Sequence, residues 1–162
     1  MNKFTTKIYL KNIAIILMIA IFFIADRYLK YLALNRHLEQ PFKLLGNIFS
    51  FNFTANYYIA FSLPLGGQIL NILISLIILA LIYLIFYLIF KKNNQKSTIF
   101  LLTIILFGAI SNILDRFAYG YVIDYLELKY FTVFNLADVM ISLGAIVLLF
   151  NIRGGSFDRK KY

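Results

Sequence analysis

Residues 68–90 form an almost unbroken run of Ile, Leu, Tyr and Phe, closed by Lys91 and Lys92. The hydrocarbon core of a bilayer is about 30 Å thick and takes about 20 helical residues to cross. A run of this length predicts a membrane-crossing helix. Residues 97–114 and 137–152 repeat the pattern, as do residues 9–30, whose cleanest apolar stretch is 13–25. Hydrophobic residues make up 62% of the 162-residue chain and charged residues 14%, more apolar surface than a soluble domain of this size can bury. The expected class is mainly α and integral to the membrane: four transmembrane helices in one domain spanning residues 1–162. The first segment follows Lys3, Lys7 and Lys11, so a cleaved secretion signal competes with a retained span. A retained span is expected, because Phe23 stands where a cleavage site before Asp26 needs a small residue.

Charge then orients the spans. The N-terminal tail, the 91–96 loop and the C-terminal tail hold Lys3, Lys7, Lys11, Lys91, Lys92, Lys96, Arg153, Arg159, Lys160 and Lys161 against the single acid Asp158. The basic and acidic residues of the other side cancel, so the whole net charge of +9 lies on one face. The positive-inside rule places both termini in the cytoplasm. The basic balance is thus an orientation signal and an anionic-lipid contact, and no nucleic-acid partner is expected.

Two segments face outward, residues 31–67 and 116–136. Residues 47–53 alternate polar and apolar side chains, the period of a half-buried strand. Pro41, Gly46, Pro64, Gly66 and Gly67 punctuate the first segment, and Gly120 predicts a turn in the second. A small extracytoplasmic β-sheet is therefore expected between spans one and two, its apolar face towards lipid or substrate. Residues 121–126 offer it a further strand.

The chain has no cysteine, and His37 is its one histidine. That excludes thiol nucleophiles, Cys or His-rich metal sites and a Ser-His-Asp triad. His37, between Arg36 and Glu39, reads as a solvated surface residue. Chemistry falls to carboxylates, hydroxyls, Lys and Arg. Asp26, Asp115 and Asp138 sit at predicted span ends and Asp124 in the loop before the last span. Ionisable groups near the bilayer are functional candidates, because burying their charge costs free energy. Asp124 and Asp138 are close enough in sequence to meet. Two adjacent carboxylates share a proton, since both cannot readily ionise. Such a pair hydrolyses amides: one member takes a proton from water and the other polarises the carbonyl. The bland alternative is two loop acids, solvated or paired with Arg116 or Lys129. Asp26 and Lys30, at i, i+4, read equally as a helix-surface ion pair. Asp115 and Arg116 read as a snorkelling Arg beside its counter-ion. Asn112 faces the same way as Arg116, and an Asn near lipid needs hydrogen-bond partners. Asn56 and Asn135 fall in loops.

Five short blocks, in order, give the chain a resemblance to the bacterial lipoprotein signal peptidases (the type II signal peptidases). Asp26 to Lys30 resembles D-x-x-x-K, and Asn56-Tyr57-Tyr58-Ile59-Ala60-Phe61 resembles N-x-G-x-A-F. Gly108 to Arg116 resembles G-x-x-x-N-x-x-D-R, Val122-Ile123-Asp124-Tyr125 resembles V-x-D-[FY], and Phe134-Asn135-Leu136-Ala137-Asp138 resembles F-N-x-A-D. The resemblance implies an intramembrane aspartyl endopeptidase with Asp124 and Asp138 as its catalytic pair. It implies substrate contact or support of the dyad by Asp26, Lys30, Asn56, Asn112, Arg116 and Asn135, and structural roles for Gly108, Asp115 and Ala137. The implied substrate is a diacylglyceryl-modified prolipoprotein, cut just before its lipidated cysteine at the outer face of the inner membrane. No metal or organic cofactor is implied, and a monomer is expected. The outer sheet is expected to receive substrate as an added strand, with residues 47–53 doing the pairing.

Two positions depart from the family pattern. Tyr58 stands where the family has a glycine, so loop conformation and substrate fit are expected to differ. Ser111 stands before Asn112, where glycine is frequent. The main rival is an inactive relative that binds lipoproteins or scaffolds a membrane complex. A transporter would instead place ionisable groups at mid-span, and spans two and three carry none there.

Overall fold

The computed structural model describes residues 3–35, 41–58, 66–91 and 95–158, with side chains described from residue 13 to residue 151 within those ranges. His37, Ala60 and Phe61 lie outside the described residues. The elements are α1 (Lys3–Asn35), β1 (Phe42–Leu45), β2 (Phe49–Asn56), α2 (Gly67–Phe90), α3 (Lys96–Tyr119), β3 (Val122–Leu128), β4 (Thr132–Phe134) and α4 (Leu136–Asp158). The protein is mainly helical, with one small sheet. Helices α2 and α3 are each long and apolar enough to cross a membrane, and α4 is apolar over Leu136–Asn151.

Helix α3 is the hub, packed against α2, α4 and α1. Towards α2 it sets Leu106 and Ile113 against Ile78, with Ile74, Leu81, Ile82 and Ile85 around them. Towards α4 the contact is closer and depends on missing side chains. A Cβ on Gly108 would lie 2.7 Å from the Ala137 carbonyl oxygen and 2.9 Å from Ile141 Cγ1. A Cβ on Gly144 would lie 2.7 Å from Ile105 Cγ1. These approaches draw the start of α4 against the outer half of α3. The opposite face of α2 is uncovered, with Ile69, Ile72, Leu76, Ile77 and Leu79 exposed.

Helix α1 has 33 residues, about 50 Å at 1.5 Å per residue, and continues past the expected end of the first span. Its last turns carry the fully buried Ala33 into a core with Ile123 and Tyr125 of β3, flanked by Leu29, Leu34, Phe51 and Phe53. The sheet therefore rests on the end of α1. Helix α3 stops where Gly120 takes φ +83° and donates its N–H to the Arg116 carbonyl, a left-handed terminus that glycine adopts without a Cβ penalty. This is the turn expected there.

The sheet departs from expectation in its make-up. Its order is β1-β2-β3-β4, antiparallel throughout. The further strand offered by residues 121–126 is observed as β3, and β4, which was not expected, adds a fourth. An isolated hairpin is marginal in water, and β3 doubles the pairing while covering α1. The expected strand at 47–53 is observed at Phe49–Asn56. Gly46, at φ +54°, begins a turn in which the Ile48 N–H reaches the Leu45 carbonyl, which takes up residues 47 and 48. At the other end, pairing of Thr54, Ala55 and Asn56 with Asp124, Ile123 and Val122 extends the strand. Strand β2 is paired with β3 along its length and with β1 over Phe49–Phe51, so Phe49–Phe51 have a strand on each side.

Gly108→Val is expected to destabilise the protein by about 1–3 kcal/mol through overpacking of the α3–α4 contact. A fall in Tm in detergent, larger than that of Leu79→Val on the exposed face of α2, checks this.

Candidate active site

The first turn of any helix leaves N–H groups without intrahelical partners. In α4 each is met by a named acceptor. Leu136 N–H donates to the Tyr125 hydroxyl at 3.0 Å, and Ala137 N–H donates to Asp26 Oδ1 at 3.1 Å. Asp138 N–H donates to Asn135 Oδ1 at 2.8 Å, and Val139 N–H to the Asn135 carbonyl at 3.3 Å. Asn135 is thus the N-cap, not an ordinary loop residue. The bond is returned, because Asp138 Oδ2 accepts the Asn135 backbone N–H at 3.2 Å. This is a capping box with Asp in the place usually held by Glu or Gln. It fixes the rotamer of Asp138 as well as the helix start.

The same Asn135 side chain reaches the other acid. Its Nδ2 donates to Asp124 Oδ1 at 2.7 Å and to Asn112 Oδ1 at 3.1 Å. Asp124 lies in β3, not in a loop, and its Oδ2 accepts Asn56 Nδ2 at 2.9 Å. Asn56 is the last residue of β2, paired in register with Val122. Asn112, on α3, donates Nδ2 to Asp138 Oδ1 at 2.8 Å. Three asparagines from three parts of the chain therefore hold two carboxylates at one place. Asp124 is 2% exposed and Asn135 0%. Burial, and next the neighbouring Asp138, push the Asp124 carboxyl up to about 7, against lowering by its hydrogen bonds from Asn56 and Asn135 and by the charge of Lys30.

Behind the carboxylates lies a buried charge cluster. Asp26 and Lys30 are not the surface pair that their spacing allows, since both are fully buried. Lys30 Nζ meets Asp115 Oδ2 at 2.7 Å, Asn112 Oδ1 at 2.8 Å and Asp26 Oδ2 at 3.1 Å. That gives each of its three protons an acceptor. Arg27 pairs with Asp115, so two acids face two cations. Asp26 is saturated: Oδ1 accepts Tyr125 and Ala137, and Oδ2 accepts Lys30 and the Ser111 hydroxyl at 2.5 Å. Asp115 Oδ2 also accepts the Ile123 N–H at 3.3 Å, tying α3 to β3.

Arg116 leaves its snorkelling alternative behind and turns inward, 6% exposed. Its guanidinium donates to the Tyr58 carbonyl at 2.6 Å and the Tyr57 carbonyl at 3.4 Å. It thereby clamps the segment after β2 against α3. Its Nε is buried with no partner among the described residues. Tyr58 does not carry a left-handed backbone, since Tyr130 is the one described non-glycine residue with positive φ. The close approach falls instead on its bridge partner Gly66, where a Cβ would lie 2.9 Å from the Tyr57 carbonyl oxygen. Gly108 and the fully buried Ala137 sit at the helix contact beneath Asp138.

Sequence reasoning missed three contributors: Arg27, Ser111 and Tyr125. Each adjoins a residue that was singled out, but neighbours point elsewhere in both helix and strand, so adjacency carried no signal. In β3, Tyr125 faces away from Asp124 into the α1 core, and only the three-dimensional path returns its hydroxyl to α4.

Residues 18–153 match the family model described as signal peptidase (SPase) II. A lipoprotein signal peptidase of Clostridium tetani is 34% identical over 153 residues, covering 90% of this chain and 97% of its own length. Another, of Caldicellulosiruptor bescii, is 36% identical over 143 residues, covering 86% and 93%. A solved structure described as a bacterial membrane enzyme superposes with a TM-score of 0.78 at 19% identity, covering 92% of this chain and 93% of that one. A second, also described as a bacterial membrane enzyme, gives 0.69 at 20% identity. These two likenesses are of fold.

Two outcomes follow from the site. Lys30→Met leaves Asp26 and Asp115 facing Arg27 alone. Breaking a buried ion pair in this way is expected to cost about 3–5 kcal/mol, seen as a large loss of Tm at neutral pH. The second concerns Asp124, whose folded-state value lies above its unfolded value of 3.8. Its contribution to stability is present below about pH 4 and lost as pH rises through about 7. The Tm of Asp124→Asn should therefore gain on wild type between about pH 4 and pH 7. A constant gap across that window contradicts the assignment.

Proposed function

The chain belongs to the signal peptidase II family, and we propose that Asp124 and Asp138 are the carboxylates that carry its reaction. It is a lipoprotein signal peptidase, an aspartic endopeptidase that removes the signal peptide of a prolipoprotein. The single observation that most supports this dyad is the joint hold of Asn135 on both acids, bonded to Asp124 Oδ1 and locked into a capping box with Asp138.

The mechanism follows from shared protons. Two neighbouring buried carboxylates titrate as a unit, and near neutral pH one keeps its proton while the other is ionised. The ionised member takes a proton from a water molecule, and the resulting hydroxide adds to the scissile carbonyl carbon. The protonated member donates a hydrogen bond, then its proton, to the carbonyl oxygen. Collapse of the tetrahedral adduct breaks the C–N bond, and a carboxyl proton passes to the departing amine. Asn56, Asn112 and Asn135 hold the dyad in place, so little reorganisation is needed at the moment of reaction.

The substrate in this reading is diacylglyceryl-modified and is cut just before its lipidated cysteine. All four helices cross the inner membrane with both termini in the cytoplasm, as the charge distribution supports. The sheet then lies at the outer surface and the dyad at the outer ends of the spans. The signal helix stays in the bilayer, so its motion is confined to two dimensions and orientation supplies much of the rate gain.

The test is cleavage of a diacylglyceryl-modified prolipoprotein by the purified protein in detergent, followed on a gel. Asp124→Asn and Asp138→Asn should each lower the rate by about 10²–10⁴-fold or more, with melting still cooperative. Cleavage by either variant at the wild-type rate rules out the dyad. No cleavage by folded wild type favours the inactive, lipoprotein-binding alternative.

A further inference from the structure

The Tyr125 hydroxyl has a place that the reaction as described does not use. Tyr125 follows Asp124 in β3 but points to the opposite face of the strand, as successive strand residues do. It is fully buried. Its ring packs on Phe51 at 5.5 Å between centroids and on Ala33 of α1. Its hydroxyl accepts the Leu136 N–H at 3.0 Å and donates to Asp26 Oδ1, also at 3.0 Å. One oxygen therefore links the strand that carries Asp124, the helix start that carries Asp138, and the buried charge cluster on α1.

We propose that Tyr125 is a positioning residue for the reaction, whose hydroxyl sets the spacing between the two catalytic carboxylates by fixing the first turn of α4 against β3. The proposal rests on Asp124 and Asp138 being the dyad. Tyr125 touches neither of them and acts through the backbone: it holds Leu136, two residues before Asp138, from a position one residue after Asp124. Asn135 links the acids directly, through its side-chain amide. Tyr125 adds a strut on the far side of the strand, because its hydroxyl has a partner on each side. Burial, and next the neighbouring Asp26, keep its phenol well above the ordinary tyrosine range. It stays neutral wherever the enzyme works and does not itself titrate in the pH profile.

Spacing has a readout that stability does not mimic. Repulsion between the carboxylates separates the two apparent pKa values of the dyad, and that separation is the width of the bell-shaped pH–rate profile. Opening a pair about 4 Å apart by about 1 Å at an effective dielectric of about 20 narrows the bell by about half a pH unit. The other charged groups facing this region are Asp26 and Lys30 on α1, with Arg27 behind them, and Asp115 and Arg116 on α3. A change in the charge of any one of them moves both limbs in the same direction. Loss of folded enzyme lowers the amplitude and moves neither limb.

The experiment measures cleavage of the lipidated precursor against pH for wild type, Tyr125→Phe, Leu136→Pro and Phe51→Leu. Tyr125→Phe removes the hydroxyl alone. Leu136→Pro removes the same bond from the other side, and proline is tolerated at the first helical position, where its missing N–H leaves no orphan donor. Phe51→Leu weakens the packing on the ring and keeps the hydroxyl. Tyr125→Phe and Leu136→Pro should each narrow the bell by about half a pH unit, moving the alkaline limb down while the acid limb stays, whereas Phe51→Leu keeps the wild-type width. Wild-type width in the two hydrogen-bond variants overturns the proposal. So does a parallel shift of both limbs, which assigns the effect to Asp26, or equal narrowing in Phe51→Leu, which assigns it to packing. If one of the two fails to fold, the other decides. Asp124→Asn and Asp138→Asn are run alongside. If either cleaves normally, the dyad itself has failed; if both are inactive and the widths do not change, only the role of Tyr125 has failed.

Discussion

The structure depends on how the first turn of α4 disposes of its N–H groups. A helix that begins in a buried place exposes donors that water cannot reach, and each unmet donor costs about 1–3 kcal/mol. Here the acceptors come from β3 (Tyr125), from α1 (Asp26) and from the cap residue Asn135. Supplying them brings together segments far apart in the chain and fixes where Asp138 stands. Asp138 is part of its own helix cap, so capping and the placing of this carboxylate beside Asn135 are one event.

The charge cluster beneath makes that event compatible with burial. A carboxylate without water must find donors or a counter-ion. Asp26 finds four donors and Lys30 finds three acceptors. With Arg27 and Asp115 the cluster sets two carboxylates against two cations, so its formal charges cancel. Lys30 also fixes Asn112 by bonding its carbonyl oxygen, which leaves the amide N–H pointing at Asp138. A cation in the interior thus sets the direction of a neutral side chain at the site. The glycine contacts between α3 and α4 do the same at the level of the backbone, since Gly108 lets Ala137 come close enough for its N–H to reach Asp26.

Much of this was legible in the sequence, and the limits are physical. The apolar runs announced α2 and α3, because a 20-residue period of lipid contact leaves no other reading. Order and spacing of short blocks pointed to Asp124, Asp138 and their asparagines. Strand register was not legible: it depends on pairing between segments some 70 residues apart, such as Asn56 with Val122. Residues 121–126 were legible as a further strand and form β3, but neither its partner nor β4 was. The burial of Asp26 and Lys30 was equally hidden, since i, i+4 spacing is the same for an exposed pair and a core pair. The third acid, Asp115, was visible, but its role as the other half of the Lys30 site needs the packing of α1 on α3. Across the bridge from Tyr58, the close approach that needs a glycine falls on Gly66, which spacing alone did not show.

The central claim is that Asp124 and Asp138 form one coupled pair held by Asn135. It is tested most directly by following the aspartate side-chain carboxyl carbons by ¹³C NMR through a pH titration of the detergent-solubilised protein. The resonances lost in Asp124→Asn and in Asp138→Asn identify the two groups. The account predicts that both carbons respond in both titration steps of the wild type, and that removing either acid leaves the other with a single step at lower pH. Two independent single steps in the wild type, unchanged when the partner is removed, would contradict it.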